Sequence, residues 1–170
     1  MNNLHEKYEF RNIRPEEGEE AADIEQICFP PNEACSREMM NERAKNVPEF
    51  FLVAMDRETG RMAGFLTGLA TAETVFKDEF FMNTSLNDPQ GKNIMLLSLN
   101  VRPEYRGQGL ARELMFVYMR RERANGRSCL YLTCLDDKVK MYRKMGYKDL
   151  GISGSTWGGD VWHDMVYELN

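Results

Sequence analysis

Leu96–Arg112, LLSLNVRPEYRGQGLAR, is the stretch around which the rest of the chain is organised. Its first half is an apolar run ending at Val101, the pattern of a buried strand. Pro103 closes that strand, because proline has no N–H to give to a sheet ladder. Arg106-Gly107-Gln108-Gly109-Leu110-Ala111 follows, and a helical pattern then runs from about Ala111 to Ala124. A glycine-bearing turn between strand and helix leaves backbone N–H groups unpaired at the positive end of the helix dipole, which suits a pyrophosphate. A side chain at Gly107 or Gly109 would hold the phosphates away from the backbone.

Spacing separates the families that use such a turn. A P-loop needs a lysine and a serine or threonine directly after its last glycine, where this chain has Leu110 and Ala111. A dinucleotide fingerprint would put a third glycine where Arg112 stands, with an acidic residue about twenty positions on. Arg-x-x-Gly-x-Ala after a strand ending Val-x-Pro-x-Tyr resembles the GCN5-related N-acetyltransferase (GNAT) superfamily. That resemblance implies a turn that holds the pyrophosphate of acetyl-coenzyme A. The implied cofactor contacts are Leu99, Asn100 and Val101 on the strand, then Arg106, Gly107, Gln108, Gly109, Leu110, Ala111 and Arg112, with Tyr142 from a later helix. The implied fold is α/β: a mixed, mostly antiparallel sheet of about seven strands flanked by helices. Its central strands should part after Val101 to admit pantetheine.

Composition narrows the rest. A chain of 170 residues is long enough for one domain with a sizeable core, so residues 1–170 are read as a single acyl-CoA-binding domain. The hydrophobic fraction of 42% and charged fraction of 29% are those of an ordinary globular protein. A net charge of −5 argues against a nucleic-acid surface and favours small cationic partners. No apolar run approaches a membrane span, and MNNLHEKYEF lacks the apolar core of a signal peptide, so the expected location is the cytoplasm, with no membrane partner. Cys28, Cys35, Cys129 and Cys134 form no C-x-x-C pair and have no histidine near in sequence, so no metal site is expected. Cys129 and Cys134 differ in parity along one strand and should face opposite ways. The oligomeric expectation is a monomer or a homodimer.

Taken in order, Tyr8 to Arg14 reads as a first strand. Pro15 and the acidic residues after it open a helix whose inner face is Ala21, Ile24, Ile27 and Cys28. Ser36 is a plausible N-cap for a helix to Asn46. Glu49–Met55 and Met62–Ala70 read as a hairpin. Residues 71–91 are the least legible part, with Phe76, Phe80 and Phe81 among acidic residues. Ser128 to Leu135 is a buried strand, Asp136 or Asp137 can cap the next helix, and Gly146 stops it. Tyr147–Ile152 and Val161–Leu169 are the last strands, and the glycine-rich loop around Trp157 between them should be flexible.

The resemblance extends beyond the turn. Asp136–Tyr147, DDKVKMYRKMGY, is similar to the family's tyrosine helix. Cys28-Phe29-Pro30-Pro31-Asn32-Glu33-Ala34 and Val47-Pro48-Glu49-Phe50-Phe51 resemble the arylalkylamine N-acetyltransferase branch. The implied activity is direct transfer of acetyl from acetyl-CoA to the primary amine of a small molecule. In it the Leu99–Val101 backbone polarises the thioester carbonyl, and Tyr142 protonates the departing thiolate. Phe29, Pro30, Phe50 and Trp157 are the implied acceptor walls. The animal enzymes of that branch carry two histidines where Met95 and Leu97 stand here, so a different base is needed. Glu33 is placed first, ahead of Glu73 and His163. The alternatives are a non-catalytic acyl-CoA sensor of the same fold and a protein using the turn for another nucleotide.

Overall fold

The computed structural model describes residues 3–170. The chain opens with a single helical turn, α1 (Leu4–Lys7), capped by Asn3, whose side chain accepts from the N–H of His5. The strands are β1 (Tyr8–Asn12), β2 (Phe51–Asp56), β3 (Met62–Thr71), β4 (Asn93–Val101), β5 (Cys129–Leu135), β6 (Lys148–Ile152) and β7 (Trp162–Glu168). The remaining helices are α2 (Gly18–Cys28), α3 (Arg37–Asn46), α4 (Glu79–Met82), α5 (Leu110–Ala124) and α6 (Val139–Lys144). The strands hydrogen-bond in the order β1-β2-β3-β4-β5-β7-β6. The β1–β2, β2–β3, β5–β7 and β6–β7 pairs are antiparallel, and β4–β5 is parallel. This is the mixed, mostly antiparallel seven-stranded sheet that the family resemblance implies.

The chain divides into two compact units, one of residues up to Thr67 with Ser98–Tyr118, the other of Gly68–Leu97 with Met119–Asn170. In the first, α2 follows a 3-10 turn at Pro15–Glu17, and α3 starts at Ser36, whose Oγ accepts from the N–H of Met39 at 3.1 Å. Ile13, Ile24, Met40, Phe51, Val53 and Phe65 form its core with small residues of α2 and α3. The expected inner face of α2 needs correction. At 3.6 residues per turn Ala21, Ala22, Ile24, Glu25 and Cys28 lie on one stripe about 160° wide, and Ile27 falls outside it. Ile27 is accordingly 55% exposed, and the buried member of that stretch is Glu25, at 3%.

In the second unit β5 alternates strictly. Leu130, Leu132 and Cys134 are buried while Cys129, Tyr131 and Thr133 are half-buried, so Cys129 and Cys134 do face opposite ways. The parallel ladder pairs Asn93 with Cys129, Ile94 with Leu130 and Met95 with Tyr131 and goes no further, well short of the expected parting at Val101. Beyond it β5 continues its ladder with β7 as far as Leu135 opposite Trp162. Neither Asp136 nor Asp137 caps α6. A 3-10 turn over Asp136–Lys138 leads into that helix, and Asp136 meets His163 Nε2 at 3.1 Å instead. Among the described residues no helix is long and apolar enough to cross a membrane.

Candidate active site

The turn after β4 is braced before it begins. The backbone N–H of Arg102 donates to Ala63 O at 2.8 Å, and its buried side chain donates from Nε to Met62 O at 2.7 Å and reaches Glu20 at 3.3 Å. Pro103–Tyr105 then makes one 3-10 turn, anchored where the Tyr105 hydroxyl donates to Asp56 Oδ2 at 2.6 Å. That bond comes first among the causes that hold the Asp56 carboxyl below its ordinary range and the Tyr105 phenol above its own. The β2–β3 hairpin therefore fixes where the next four residues start.

Gly107 and Gly109 sit at φ +83° and +82°, the left-handed region that side chains disfavour. A Cβ built on either meets no atom within 4 Å, so what these positions demand is the backbone conformation, and their outer face is open. Gln108 between them turns its side chain inward. Its Oε1 accepts from the Tyr8 hydroxyl at 3.0 Å and from Lys7 Nζ at 3.2 Å, and its Nε2 donates to Tyr105 O at 3.2 Å. Only its backbone remains for a ligand. Arg106 also folds back, donating to Val101 O at 3.0 Å and standing 3.4 Å from the Cys28 sulfur. Leu110 anchors the first turn of α5 in the interior, and Arg112 lies exposed with its guanidinium 5.0 Å from the Phe116 ring centroid. The first N–H groups of a helix have no partner within it. An exposed turn of two left-handed glycines thus delivers them to solvent, and this backbone cradle fits a pyrophosphate.

The other expected residues of the first unit follow α2. Phe29 ends that helix, its N–H donating to Glu25 O at 3.0 Å. Pro30 O accepts from the N–H groups of Glu33 and Ala34, both at 2.9 Å, and this tight turn leaves Pro30 exposed and Glu33 half-buried. Phe50 is inside, 3% exposed, and its carbonyl accepts from the Tyr118 hydroxyl at 3.0 Å.

Tyr142 and Trp157 belong to the second unit. The Tyr142 ring stands edge-on to Tyr147 at 5.6 Å, and its hydroxyl has no hydrogen-bond partner among the described residues. The residue as a whole is half-buried. Burial, and then the nearby Cys134, push its pKa far above that of a free tyrosine. Cys134 is itself pushed up to about 12, first by burial and then by the Asp149, Asp137 and Asp136 carboxylates. The Trp157 ring lies tilted against Phe81, with centroids 4.8 Å apart, and its carbonyl accepts from Trp162 Nε1 at 2.9 Å.

The loop that carries Trp157 is not slack, contrary to expectation. Ser155 Oγ donates to one oxygen of Asp78, and the Thr156 N–H donates to the other at 3.2 Å. Phe76 joins the group, 5.1 Å from Phe81 and 6.1 Å from Phe80. The segment least legible in sequence therefore supplies the brace. Asp78 and Phe81 are seen in the sequence as part of that segment but are given no role there, and their contacts to the Trp157 loop appear only in the fold. The other candidate bases are engaged: Glu73 pairs with Lys77 at 3.0 Å, and His163 lies between Asp136 at 3.1 Å and Asp149 at 3.2 Å.

A model of the acetyltransferase (GNAT) family matches residues 18–147, more than half of the chain. The chain belongs to that family. Membership makes this GNAT protein an acetyl-CoA-dependent acyltransferase by class. A search of curated protein sequences returns no match. Among solved structures it is similar to the loading GNATL domain of CurA from Lyngbya majuscula, with 14% identity, 95% of this chain and 98% of that one covered, and a TM-score of 0.82. It is also similar to the GphF GNAT-like decarboxylase in complex with isobutyryl-CoA, with 17% identity, coverage of 95% and 100%, and a TM-score of 0.79. Ard1 from Thermoplasma volcanium follows, with 16% identity, coverage of 95% and 97%, and a TM-score of 0.72. At these identities the likeness is one of fold.

Proposed function

We propose that this GNAT protein is a single-domain N-acetyltransferase that moves the acetyl group of acetyl-CoA to the primary amine of a small molecule with an apolar tail. The observation that carries the reading is the exposed turn at Arg106–Gly109, with two left-handed glycines leading into α5. Bound acetyl-CoA would supply an activated acetyl thioester. The N–H groups after Gly107 and Gly109 would hold its pyrophosphate, and the backbone at Leu99–Val101 would donate to the thioester carbonyl. Complex formation with isobutyryl-CoA by a relative of this fold supports the same class of ligand.

The chain's own residues do the rest. Tyr142 keeps its proton through the neutral range and can give it to a departing thiolate. The acceptor contacts proposed are Phe29, Pro30, Phe50 and Trp157, with Glu33 supplying a carboxylate for the cationic acceptor. The cytoplasm is the compartment proposed, and either a monomer or a homodimer serves this chemistry. The test is a panel of amines assayed for coenzyme A thiol release in the presence of acetyl-CoA. Release on apolar primary amines is the expected result. Binding of acetyl-CoA with no thiol release on any amine would make the protein a sensor and overturn the reading.

A further inference from the structure

Glu25 lies in the middle of α2 and is 3% exposed. Its Oε1 accepts from Ser98 Oγ at 2.6 Å and from Asn100 Nδ2 at 2.9 Å, and its Oε2 accepts from the N–H of Cys35 at 3.1 Å. Asn100 Nδ2 also donates to Ser98 Oγ at 2.7 Å. Each of these partners is neutral, and among the described residues no cation lies within ion-pair distance of Glu25. Asn100, 2% exposed, leaves its Oδ1 buried without a partner.

As architecture alone this arrangement is costly, since an orphaned buried acceptor lowers stability. The charged and titratable groups around it are few. The Cys35 thiol is pushed up to about 11, first by burial; the Cys28 thiol, against Arg106, is also raised by burial. Arg43 of α3 acts on Cys35 together with Glu25, and Glu20 of α2 pairs with Arg102. Both thiols hold their protons near neutrality.

We propose that Glu25 is the final acceptor of the proton that the attacking amine must lose, reached through the Ser98 hydroxyl. This rests on the acetyltransferase reading above. Ser98 sits on β4 next to Leu99, where the thioester carbonyl is assigned, and at 9% exposure it is the most accessible of the three. In the step, the substrate's N–H proton passes to Ser98 Oγ while the hydroxyl proton of Ser98 moves along the 2.6 Å bond to Glu25 Oε1. The N–H bond breaks, the nitrogen keeps its electron pair, Ser98 is regenerated, and one positive and one negative charge vanish together. Asn100 Nδ2 holds Ser98 Oγ in line. Ser98 touches the substrate, and Glu25 and Asn100 act through it.

The test measures kcat and KM from about pH 6 to 10 for the parent, Glu25→Gln, Ser98→Ala, their double variant and Glu33→Gln, with acetyl-CoA affinity by calorimetry. Glu25→Gln and Ser98→Ala should each lower kcat on the order of tenfold to a hundredfold at pH 7, with acetyl-CoA affinity kept and the double variant no worse than either. The deficit should close as pH approaches the amine's own pKa, about 10, where the free base needs no acceptor. Should Glu25→Gln not fold, Ser98→Ala carries the test, because it leaves the carboxylate in place. A deficit equal at every pH would mean a structural role and overturn the proposal. So would a pH-dependent loss in Glu33→Gln with none in the other two. A parent without turnover on any amine would overturn the acetyltransferase reading and this one together, whereas an active parent with unaffected variants would overturn this one alone.

Discussion

Burial keeps the Tyr142 hydroxyl protonated well past the pH at which a free tyrosine ionises, about 10. An acid catalyst works while it holds its proton, so activity should show no falling limb from Tyr142 up to about pH 10. Tyr142→Phe keeps the ring against Tyr147 and removes the proton. Turnover should then fall by about a hundredfold or more while the thermal midpoint stays near the parent's, as steady-state kinetics and calorimetric melting would show. The sign for stability is also fixed. Because the folded pKa lies above the unfolded one, the contribution of Tyr142 is complete below about pH 10 and is lost as pH rises beyond it. A motif singled out Tyr142 in the sequence, but none singled out Glu25. A glutamate at an inward helical position looks like a solvated charge until β4 places Ser98 and Asn100 against it, and no local pattern contains that pairing.

The strand–turn–helix of β4 and α5 was legible because each part has a local cause: an apolar run, a proline, two glycines and a helical repeat. Its brace was not, since Asp56 and Tyr105 are far apart in the chain and meet only once the β2–β3 hairpin has formed. Tyr105→Phe removes the donor to that buried carboxylate and should cost about 1–3 kcal/mol, visible as a lower melting temperature. It should also weaken acetyl-CoA binding by loosening the start of the turn. With its folded pKa depressed, Asp56 stabilises the protein above about pH 4 and loses that contribution as pH falls. At the other expected wall, local composition misled, because a stretch rich in glycine reads as slack. Asp78 ties Ser155 and Thr156, so Asp78→Ala should free the Trp157 loop and raise KM for the amine more than it lowers kcat. Equal kcat and KM in parent and variant would remove that loop from the acceptor site.

At the scale of the whole chain, a net charge of −5 favours cationic acceptors, and an alkylammonium is mostly protonated at pH 7. Activity should therefore climb as pH rises above 7, with small apolar primary amines preferred. A flat profile with chemistry limiting would contradict the proton-transfer half of this, and spermidine or a lysine peptide outcompeting every apolar amine would contradict the other half. A ligand that binds only the folded protein also stabilises it. Acetyl-CoA at about a hundred times its dissociation constant should add about 2.7 kcal/mol and raise the melting temperature by several degrees. The central claim is that the turn at Arg106–Gly109 is the seat of an acyl-CoA pyrophosphate. Calorimetric titration of acetyl-CoA into the parent and into Gly109→Val tests it most directly, since a branched side chain fits neither φ +82° nor the cradle. Saturable binding by the parent and none by the folded variant is the predicted result. Equal binding by both, or a parent that takes ATP or NAD(H) in preference to coenzyme A, would contradict it.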